Sequence, residues 1–422
     1  MERESQKYQD YIALLKEELV PAMGCTEPIA LAYAAAYAKE TLGELPTHIH
    51  ASISGSIIKN VKSVIVPNTG HLKGIPAAIA AGVISGAYDK KLEVLSSLSD
   101  ERQKEISDYL EKTPIEITHA TGCDPFDILL TESTDAHTVT IRICGTHTNV
   151  VLLEKDGQIL LRKEDQIQKP SLSSTLTLTM ESIWDFVESV AIEDVREILD
   201  RQILYNTAIS EEGLLGDYGA NIGSVLLLTG NDIKSRAKAK AAAGSDARMN
   251  GCELPVVINS GSGNQGITCS VPVIEYAKEL NSGKEKLYRA LTLSNLISIH
   301  EKQGIGTLSA FCGAVSAGTG AGAGIAYLNG GDYQTIVHTV VNALAITSGI
   351  ICDGAKASCA AKIAASIDAG ILGYEMYQHG QEFKCGDGIV RKDAEATIKG
   401  VGIIGKYGMR ETNEEIIKLM IS

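Results

Sequence analysis

The sequence predicts an α+β protein, in which an N-terminal mixed α/β domain is followed by a mainly helical domain rich in glycine and alanine. Alternating apolar and polar residues, the pattern of half-buried strands, cluster in the first part of the chain. Of the 41 glycines, 31 lie beyond residue 210, among stretches with helical periodicity. A chain of 422 residues is long enough for two or three domains. We therefore expect one domain over residues 1–170 and a second over residues 171–422.

The N-terminal domain is expected to combine four helices with a sheet. Pro21 ends an amphipathic first helix, and Gly43 follows an alanine-rich second helix. Asp156-Gly157 is the signal of a two-residue hairpin turn. The expected helices are Gln6–Leu19, Pro28–Thr41, Ile75–Ser85 and Leu92–Lys112. The expected strands are His48–Ser54, Val61–Val66, Ile115–His119, Thr138–Cys144, Asn149–Glu154 and Gln158–Arg162.

From Ser171 onward the pattern is mainly helical, with one expected strand at Leu254–Asn259. The expected helices are Thr175–Ile192, Glu193–Gly213, Asp232–Ala243, Val271–Asn281, Lys284–Glu301, Gln334–Ser348, Ala357–Gly370 and Asn413–Met420. The uncharged stretch Ile305–Gly331 is long enough to cross a bilayer, but it contains eight glycines and lacks basic flanking loops. We therefore expect it to be a buried helix, and we expect no membrane span.

Composition and charge exclude several classes of protein. The chain has 52 acidic against 38 basic side chains and a formal net charge of −14, so it is a poor general binder of nucleic acid or of an anionic membrane. With 44% hydrophobic and 21% charged residues it is not a disordered chain. The first residues, Met1–Ser5, form no apolar signal region, so we expect a cytoplasmic protein.

Cys25 lies in a setting that favours chemistry. In Met23-Gly24-Cys25-Thr26-Glu27-Pro28, Thr26 is a natural N-cap and Pro28 a first-turn proline. The sulfur is thus expected at the positive end of the alanine-rich helix, which lowers the pKa of a thiol and favours the thiolate. A thiolate can bind metal or accept a proton. The alternative is that Gly24-Cys25 only joins two helices.

Cys312, Cys352 and Cys359 form a second candidate set. Cys352 and Cys359 flank a turn between two expected helices, so their sulfurs can converge on one object. Cys312 opens a glycine-rich stretch, where missing side chains leave room for a bulky group. Three thiolates on a four-iron cluster leave one iron open as a Lewis acid, and a zinc site of Cys₃ type is the competing interpretation. The spacing matches neither ferredoxins nor zinc fingers, so it leaves the choice open.

A glycine-rich turn is the candidate for binding a substrate anion. It follows the expected strand at Leu254–Asn259, where glycines let successive backbone N–H groups face one anion. It lacks the lysine of a phosphate loop, and a purely structural turn is the alternative. Asn68, in a polar loop with Thr69 and His71, is a weaker second candidate. The candidate residues of the turn are Ser260, Gly261, Ser262, Gly263, Asn264 and Gln265.

These motifs together resemble the L-cysteine desulfidase family, also catalogued as UPF0597, which is related to the α subunit of bacterial iron–sulfur L-serine dehydratases. The resemblance covers nearly the whole chain. Three segments carry it: Pro21–Pro28, Ser260–Gly266, and Cys312 with Cys352-x6-Cys359.

The resemblance implies an oxygen-sensitive [4Fe–4S] lyase without pyridoxal phosphate, which converts L-cysteine to pyruvate, ammonia and hydrogen sulfide. It implies that Cys312, Cys352 and Cys359 hold the cluster in the second domain and that Cys25 is the catalytic cysteine. The expected reaction is a β-elimination, in which the open iron binds the substrate thiolate and Cys25 is the base. The expected partner is a small amino-acid substrate, and a homodimer is a further expectation.

Three alternatives stay open. An iron–sulfur L-serine dehydratase would use the same cluster, but some of those enzymes end in a cysteine that can cap the open iron, whereas this chain ends Leu419-Met420-Ile421-Ser422. The shorter spacing from Cys352 to Cys359 also resembles the desulfidases. A pyridoxal-phosphate lyase would need a phosphate cup beside Lys356 or Lys362. A non-catalytic iron–sulfur sensor would need an output module, which we do not find.

Overall fold

The computed structural model describes residues 1–96, 98–163, 172–306 and 308–421. The helices are α1 Gln6–Glu18, α2 Thr26–Leu42, α3 Gly55–Val61, α4 Gly74–Ser85, α5 Asp100–Lys112, α6 Leu172–Thr175, α7 Met180–Ser189, α8 Ile192–Leu215, α9 Ile222–Thr229, α10 Ile233–Met249, α11 Gly263–Glu279, α12 Lys284–Ile305, α13 Gly313–Leu328, α14 Tyr333–Thr347, α15 Ser358–Gln378, α16 Ala394–Ile403 and α17 Arg410–Ile421. The strands are β1 Pro21–Met23, β2 His48–Ser54, β3 Ile115–Ala120, β4 Asp127–Ser133, β5 Thr138–Cys144, β6 Val150–Lys155, β7 Gln158–Arg162 and β8 Pro255–Val257. The predicted α+β class is confirmed.

A six-stranded sheet organises the N-terminal part. Its strand order is β3-β2-β4-β5-β6-β7, with β2 and β3 parallel and the other neighbours antiparallel. The hairpin between β6 and β7 turns at Asp156 and Gly157, whose φ angles of 51° and 81° are those of the predicted two-residue turn. Helix α2 packs on β4 and β5, and α4 packs on α2. This layer covers the apolar side of the sheet, where alternate residues of each strand are buried.

The first helix and strand pack on the helical part of the chain, although they precede the sheet. Strand β1 pairs antiparallel with β8, with Pro21 opposite Val257. In α1, Tyr8 and Tyr11 are fully buried against Phe186 of α7. These contacts place the N-terminal helix in the same core as the helices beyond residue 170. The division of the chain into two domains at residue 170 stays a prediction.

Small residues let the helices approach closely. A Cβ on Gly82 of α4 would lie 2.1 Å from the carbonyl oxygen of Ala32 in α2. In α13, a Cβ on Gly322 would lie 2.6 Å from the carbonyl oxygen of Gly370 in α15. Helix α13 is buried between α11, α12, α14 and α15, as expected for the uncharged glycine-rich stretch. Within the described part of the chain, no helix combines the length and the apolar character needed to cross a membrane.

Several expected elements differ in the structure. The strand expected at Val61–Val66 is wrong: α3 occupies Gly55–Val61, and only Ile65 keeps a bridge, to Lys73. The valines of this segment are still buried in the core, but they lie at the end of a helix and in a turn instead of in a strand. The sequence missed β4, because Asp127 and Glu132 interrupt its apolar alternation although both are buried. It also missed α9 and α16, and α11 begins at Gly263 instead of at Val271.

Gly82→Ala tests the close approach of α2 and α4. The added methyl group would meet backbone atoms of Ala32, which cannot rotate away, so we expect a loss of about 1–3 kcal/mol in the free energy of unfolding. Gly400→Ala is the matched control, because its Cβ would lie 3.9 Å from Arg391 and alanine is the better helix former. Urea unfolding of both variants measures the difference. Equal stability of the two would contradict the packing described here.

Candidate active site

Cys312 and Cys352 lie side by side because a short antiparallel bridge joins their backbones. The N–H of Cys352 donates to the carbonyl of Ala310 at 2.6 Å, and the N–H of Cys312 donates to the carbonyl of Ile350 at 3.0 Å. Each of the two thiols has the largest effect on the pKa of the other, raising that of Cys312 and lowering that of Cys352. Cys312 is also the N-cap of α13, so its sulfur stands at a helix start.

Cys359 joins this pair because the turn that follows Cys352 folds back on α3. Gly354 has a φ of 96°, and a Cβ there would lie 2.2 Å from the backbone oxygen of Lys59. Only glycine fits this position. Cys359 then falls in the first turn of α15, with its sulfur 3.6 Å from the carbonyl oxygen of Gly354. The turn therefore brings together the three predicted cysteine ligands.

Cys25 lies close to Cys359 and therefore adjoins this group of three cysteines. It is the N-cap of α2 and is 1% exposed, and its sulfur lies 3.6 Å from the sulfur of Met249. Cys359 packs against the small apolar cluster formed by Cys25, Val64 and Met249. The predicted N-cap, Thr26, is instead the first residue of the helix, and the side chain of Cys25 makes no capping hydrogen bond.

The structure reverses the expected pKa of Cys25. Burial raises the pKa of this thiol to about 12, and the positive charge of Arg248 offsets only part of that effect. Removal of the thiolate from water therefore outweighs the helix start on which the expectation was based. In contrast, the hydrogen bond from Cys312 and the charge of Lys59 hold the pKa of Cys352 below its usual range. Burial raises the pKa of Cys359.

The surroundings of the cysteines are positively polarised. Helices α2, α11, α13 and α15 all begin at the site, and the first N–H groups of a helix carry a partial positive charge. Lys59 is 2% exposed and donates to the carbonyl of Cys352 at 3.1 Å and to Oδ1 of Asn413 at 2.7 Å. Lys302 is also buried; burial lowers the pKa of both ammonium groups, and the nearby Cys352 opposes this shift. Such an environment suits thiolate ligands and an anionic substrate.

The glycine-rich turn lies where the sequence predicts it, between β8 and α11. Ser260 and Gly261 have φ angles of 49° and 77°, and Oγ of Ser260 donates to Oδ1 of Asn259 at 2.9 Å. A Cβ on Gly313 would lie 2.6–2.8 Å from the amide group of Gln265, so Gln265 reaches the start of α13 beside Cys312. The buried Oε1 of Gln265 has no hydrogen-bond partner. The binding roles of residues 260–265 stay predictions.

A network of buried, hydrogen-bonded amide side chains supports the glycine-rich turn. Nδ2 of Asn259 donates to Oδ1 of Asn295 at 2.9 Å, and Asn295 exchanges two hydrogen bonds with Gln202, at 2.8 and 3.0 Å. The thiol of Cys269 donates to the same Oδ1 at 3.2 Å. All four side chains are essentially inaccessible to solvent. The network therefore fixes the turn from inside the helical core.

Asn68 contacts the segment that precedes Cys25, and its amide nitrogen already makes a hydrogen bond. Nδ2 of Asn68 donates to the carbonyl of Leu95 at 2.8 Å and lies 3.7 Å from the sulfur of Met23. Asn68 therefore buttresses the segment that carries Cys25. Its predicted contact with substrate stays a prediction.

Sequence reasoning missed three charged or polar residues that close the site: Arg248, His147 and Glu27. Arg248 is 3% exposed, and Nη1 donates to Oδ1 of Asn264 at 3.2 Å. His147 covers the turn, since a Cβ on Gly261 would lie 3.3 Å from its ring. The signal that could have identified Arg248 is that it is the one basic residue in the alanine-rich segment 241–249, which is expected to be buried.

Cys312, Cys352 and Cys359 would supply thiolates, which are the ligands of iron–sulfur clusters. Within the described residues, no three His, Cys, Asp or Glu side chains are placed to hold one ion. The thiolates that hold a cluster bind separate iron atoms, so they need not converge on one point. Three cysteines close to Lys59 and Lys302 agree with that requirement.

Comparison with known proteins identifies the family. The serine dehydratase alpha chain family matches residues 89–418. The chain belongs to this family. It is 58% identical to a UPF0597 protein of Desulfitobacterium hafniense over 100% of this chain and 99% of the relative. It is 50% identical to a UPF0597 protein of Lachnoclostridium phytofermentans over 98% and 100%, and 46% identical to one of Finegoldia magna over 98% and 99%. The serine dehydratase alpha chain family indicates a lyase-type enzyme.

Asn295→Ala tests the network below the glycine-rich turn. The change leaves both polar atoms of the buried Gln202 amide without partners and removes one of the two acceptors of Asn259, so we expect a loss of about 2–4 kcal/mol in the free energy of unfolding. Asn329→Ala is the control, because Asn329 is exposed and donates only to the carbonyl of Ile325. Urea unfolding compares the two variants. A loss in Asn295→Ala no larger than that of the control would contradict the structural role of the network.

Proposed function

We propose that this protein is a [4Fe–4S]-dependent L-cysteine desulfidase, a carbon–sulfur lyase that converts L-cysteine to pyruvate, ammonia and hydrogen sulfide. The observation that carries the proposal is the meeting of Cys312, Cys352 and Cys359 with Cys25 at the starts of α2, α13 and α15. Membership of the serine dehydratase alpha chain family supports an elimination chemistry of this kind.

Cys312, Cys352 and Cys359 would hold the cluster. Because these three thiolates would leave one iron of a four-iron cluster without a protein ligand, the bound cluster would supply a Lewis acid for the sulfur that leaves the substrate. Lys59 and Lys302 place positive charge beside these thiolates and thereby offset the cost of burying them. The turn at residues 260–265 would bind the substrate carboxylate through backbone N–H groups at the start of α11.

Cys25 is the proposed base. Its sulfur would accept the α-proton of the substrate, the electron pair of the C–H bond would form the Cα–Cβ double bond, and the Cβ–S bond would break to release hydrosulfide. The resulting aminoacrylate takes up water and yields pyruvate and ammonia. The raised pKa makes the Cys25 thiolate scarce but strongly basic, and Arg248 and the start of α2 favour its formation.

The second candidate is an iron–sulfur L-serine dehydratase. The name of the matching family favours it directly, and the same residues would serve a hydroxyl leaving group. A sensor without catalytic activity is less well supported. Such a sensor needs only the cluster ligands, whereas the surroundings of Cys25 contain further buried polar groups that cluster binding does not use. A cytoplasmic location and a homodimer complete the proposal.

Cys25→Ala separates catalysis from cluster binding. We expect pyruvate release from L-cysteine to fall by about 10²–10⁴-fold, the usual effect of losing a general base, while the iron content stays at the wild-type level. Cys385→Ala is the control, because Cys385 is exposed, and it should change neither value. Near-normal turnover by Cys25→Ala with iron intact would contradict the role of Cys25.

The choice of substrate is tested by pyruvate release from L-cysteine and from L-serine under anaerobic conditions. We expect kcat/KM for L-cysteine to exceed that for L-serine by at least about 100-fold, since a thiolate binds iron better and leaves more readily than a hydroxyl group. Sulfide release should match pyruvate release in the L-cysteine reaction. A preference for L-serine would instead establish the dehydratase.

A further inference from the structure

We propose that Arg248 and Glu27 form a subsite that recognises the two charged ends of a free α-amino acid. Arg248 and the start of α11 would take the carboxylate, and Glu27 with Asn60 would take the ammonium group. The subsite rests on the proposed function, since it states how that site selects its class of substrate. It would exclude amines that lack a carboxylate and acids that lack an amine.

Arg248 is a buried cation that lacks a carboxylate partner. It is 3% exposed, and no ion pair joins it to an acidic side chain of the described residues. Its Nε is buried without a hydrogen-bond partner, and a Cβ on Gly263 would lie 2.2 Å from this atom. Nε therefore packs against the first residue of α11, a helix whose first N–H groups have no partner within the helix. A buried guanidinium with an unused donor beside a helix start matches a carboxylate ligand.

Glu27 supplies the opposite charge nearby. Oε1 accepts from Nδ2 of Asn60 at 2.8 Å, and Oε2 accepts from Oγ1 of Thr26 at 3.1 Å. An ionised carboxylate has about four acceptor positions, so Glu27 keeps further acceptors available. Oδ1 of Asn60 is buried and has no partner. A carboxylate with acceptor positions to spare thus lies beside an amide oxygen that has no partner, an arrangement that suits an ammonium group.

The two halves are tied together around Cys25. Thr26 donates to the carbonyl of Gly261 at 3.0 Å, which joins the start of α2 to the turn that precedes α11. The sulfur of Cys25 contacts Met249, the neighbour of Arg248, while Glu27 is two residues away along the chain. An amino acid held at both charged ends would therefore present its Cα near Cys25, as the proposed proton transfer requires.

His147 adds a further group on the carboxylate side. Its ring packs on Phe126 at a centroid distance of 4.7 Å and covers Gly261, and its Nε2 is buried without a partner. A donor of Arg248 without a partner thus lies at one end, and the Glu27 carboxylate with the unpartnered Oδ1 of Asn60 lies at the other. This division matches a zwitterion better than it matches a simple anion.

Saturation-transfer NMR on the anaerobically purified, cluster-loaded protein tests the subsite with L-alanine, propionate and ethylamine as probes. L-Alanine carries both charged groups but no leaving group. We expect the wild type to bind L-alanine at least about tenfold more tightly than either of the other probes. Arg248→Gln should abolish the preference over ethylamine, and Glu27→Gln should abolish the preference over propionate.

Arg236→Gln is the matched control, because Arg236 lies on the same helix and pairs with Glu279 at the surface. It should keep the wild-type preferences. Arg248→Lys, which retains the charge but not the planar fork, should keep part of the carboxylate preference and guards against misfolding of Arg248→Gln. Thermal midpoints and iron content report whether each variant folds.

The subsite is overturned if wild-type protein fails to bind L-alanine at millimolar concentrations. It is equally overturned if Arg248→Gln and Glu27→Gln weaken all three probes alike or change none of them. Because L-alanine cannot undergo elimination, this result does not depend on turnover. Pyruvate release without these preferences contradicts the subsite alone, whereas the preferences without pyruvate release from L-cysteine contradict the proposed function alone.

Discussion

The buried ammonium group of Lys59 connects the three parts of the molecule that form the site. Its Nζ donates to the carbonyl of Cys352 and to Asn413 of α17. The backbone oxygen of Lys59 lies so close to residue 354 that only glycine fits there. Helix α3, the cysteine turn and the last helix therefore depend on one side chain. A lysine removed from water is costly unless it is paired, and its pairing here fixes the place where the cysteines meet.

Tight packing of small residues supplies the rigidity that such a site needs. Glycines in α13 allow α15 to approach until backbone meets backbone, and Cys312 and Cys359 stand at the starts of these two helices. Because α13 is buried along most of its length and α15 packs one face against it, helix packing helps to fix the relative position of the two sulfurs. The abundance of glycine in the second half of the chain thus has a direct consequence for the site.

The sequence was sufficient to single out four cysteines that the structure brings close together, but not the residues between them. Cys25, Cys312, Cys352 and Cys359 were recognisable because each stands beside a helix start or a glycine-rich segment. Arg248 and Glu27 were not, since their closeness arises from the pairing of β1 with β8 and from the packing of α2 on the turn before α11.

Burial was the other effect that sequence reasoning misjudged. The pKa of Cys25 depends on how completely its sulfur is removed from water, and a helix start read from sequence does not reveal that. The sequence analysis did not predict strand β4 for a similar reason: Glu132 is fully buried, whereas a charged residue in the sequence predicts exposure.

The central claim is that three cysteines of this chain hold a four-iron cluster beside Cys25. The most direct measurement is the iron and acid-labile sulfide content of protein purified under strict anaerobic conditions. We predict about four of each per chain, lost in Cys312→Ala, since three thiolates with one open iron define the site. Absence of iron and sulfide after anaerobic reconstitution, or the same content in Cys312→Ala as in the wild type, would contradict the account.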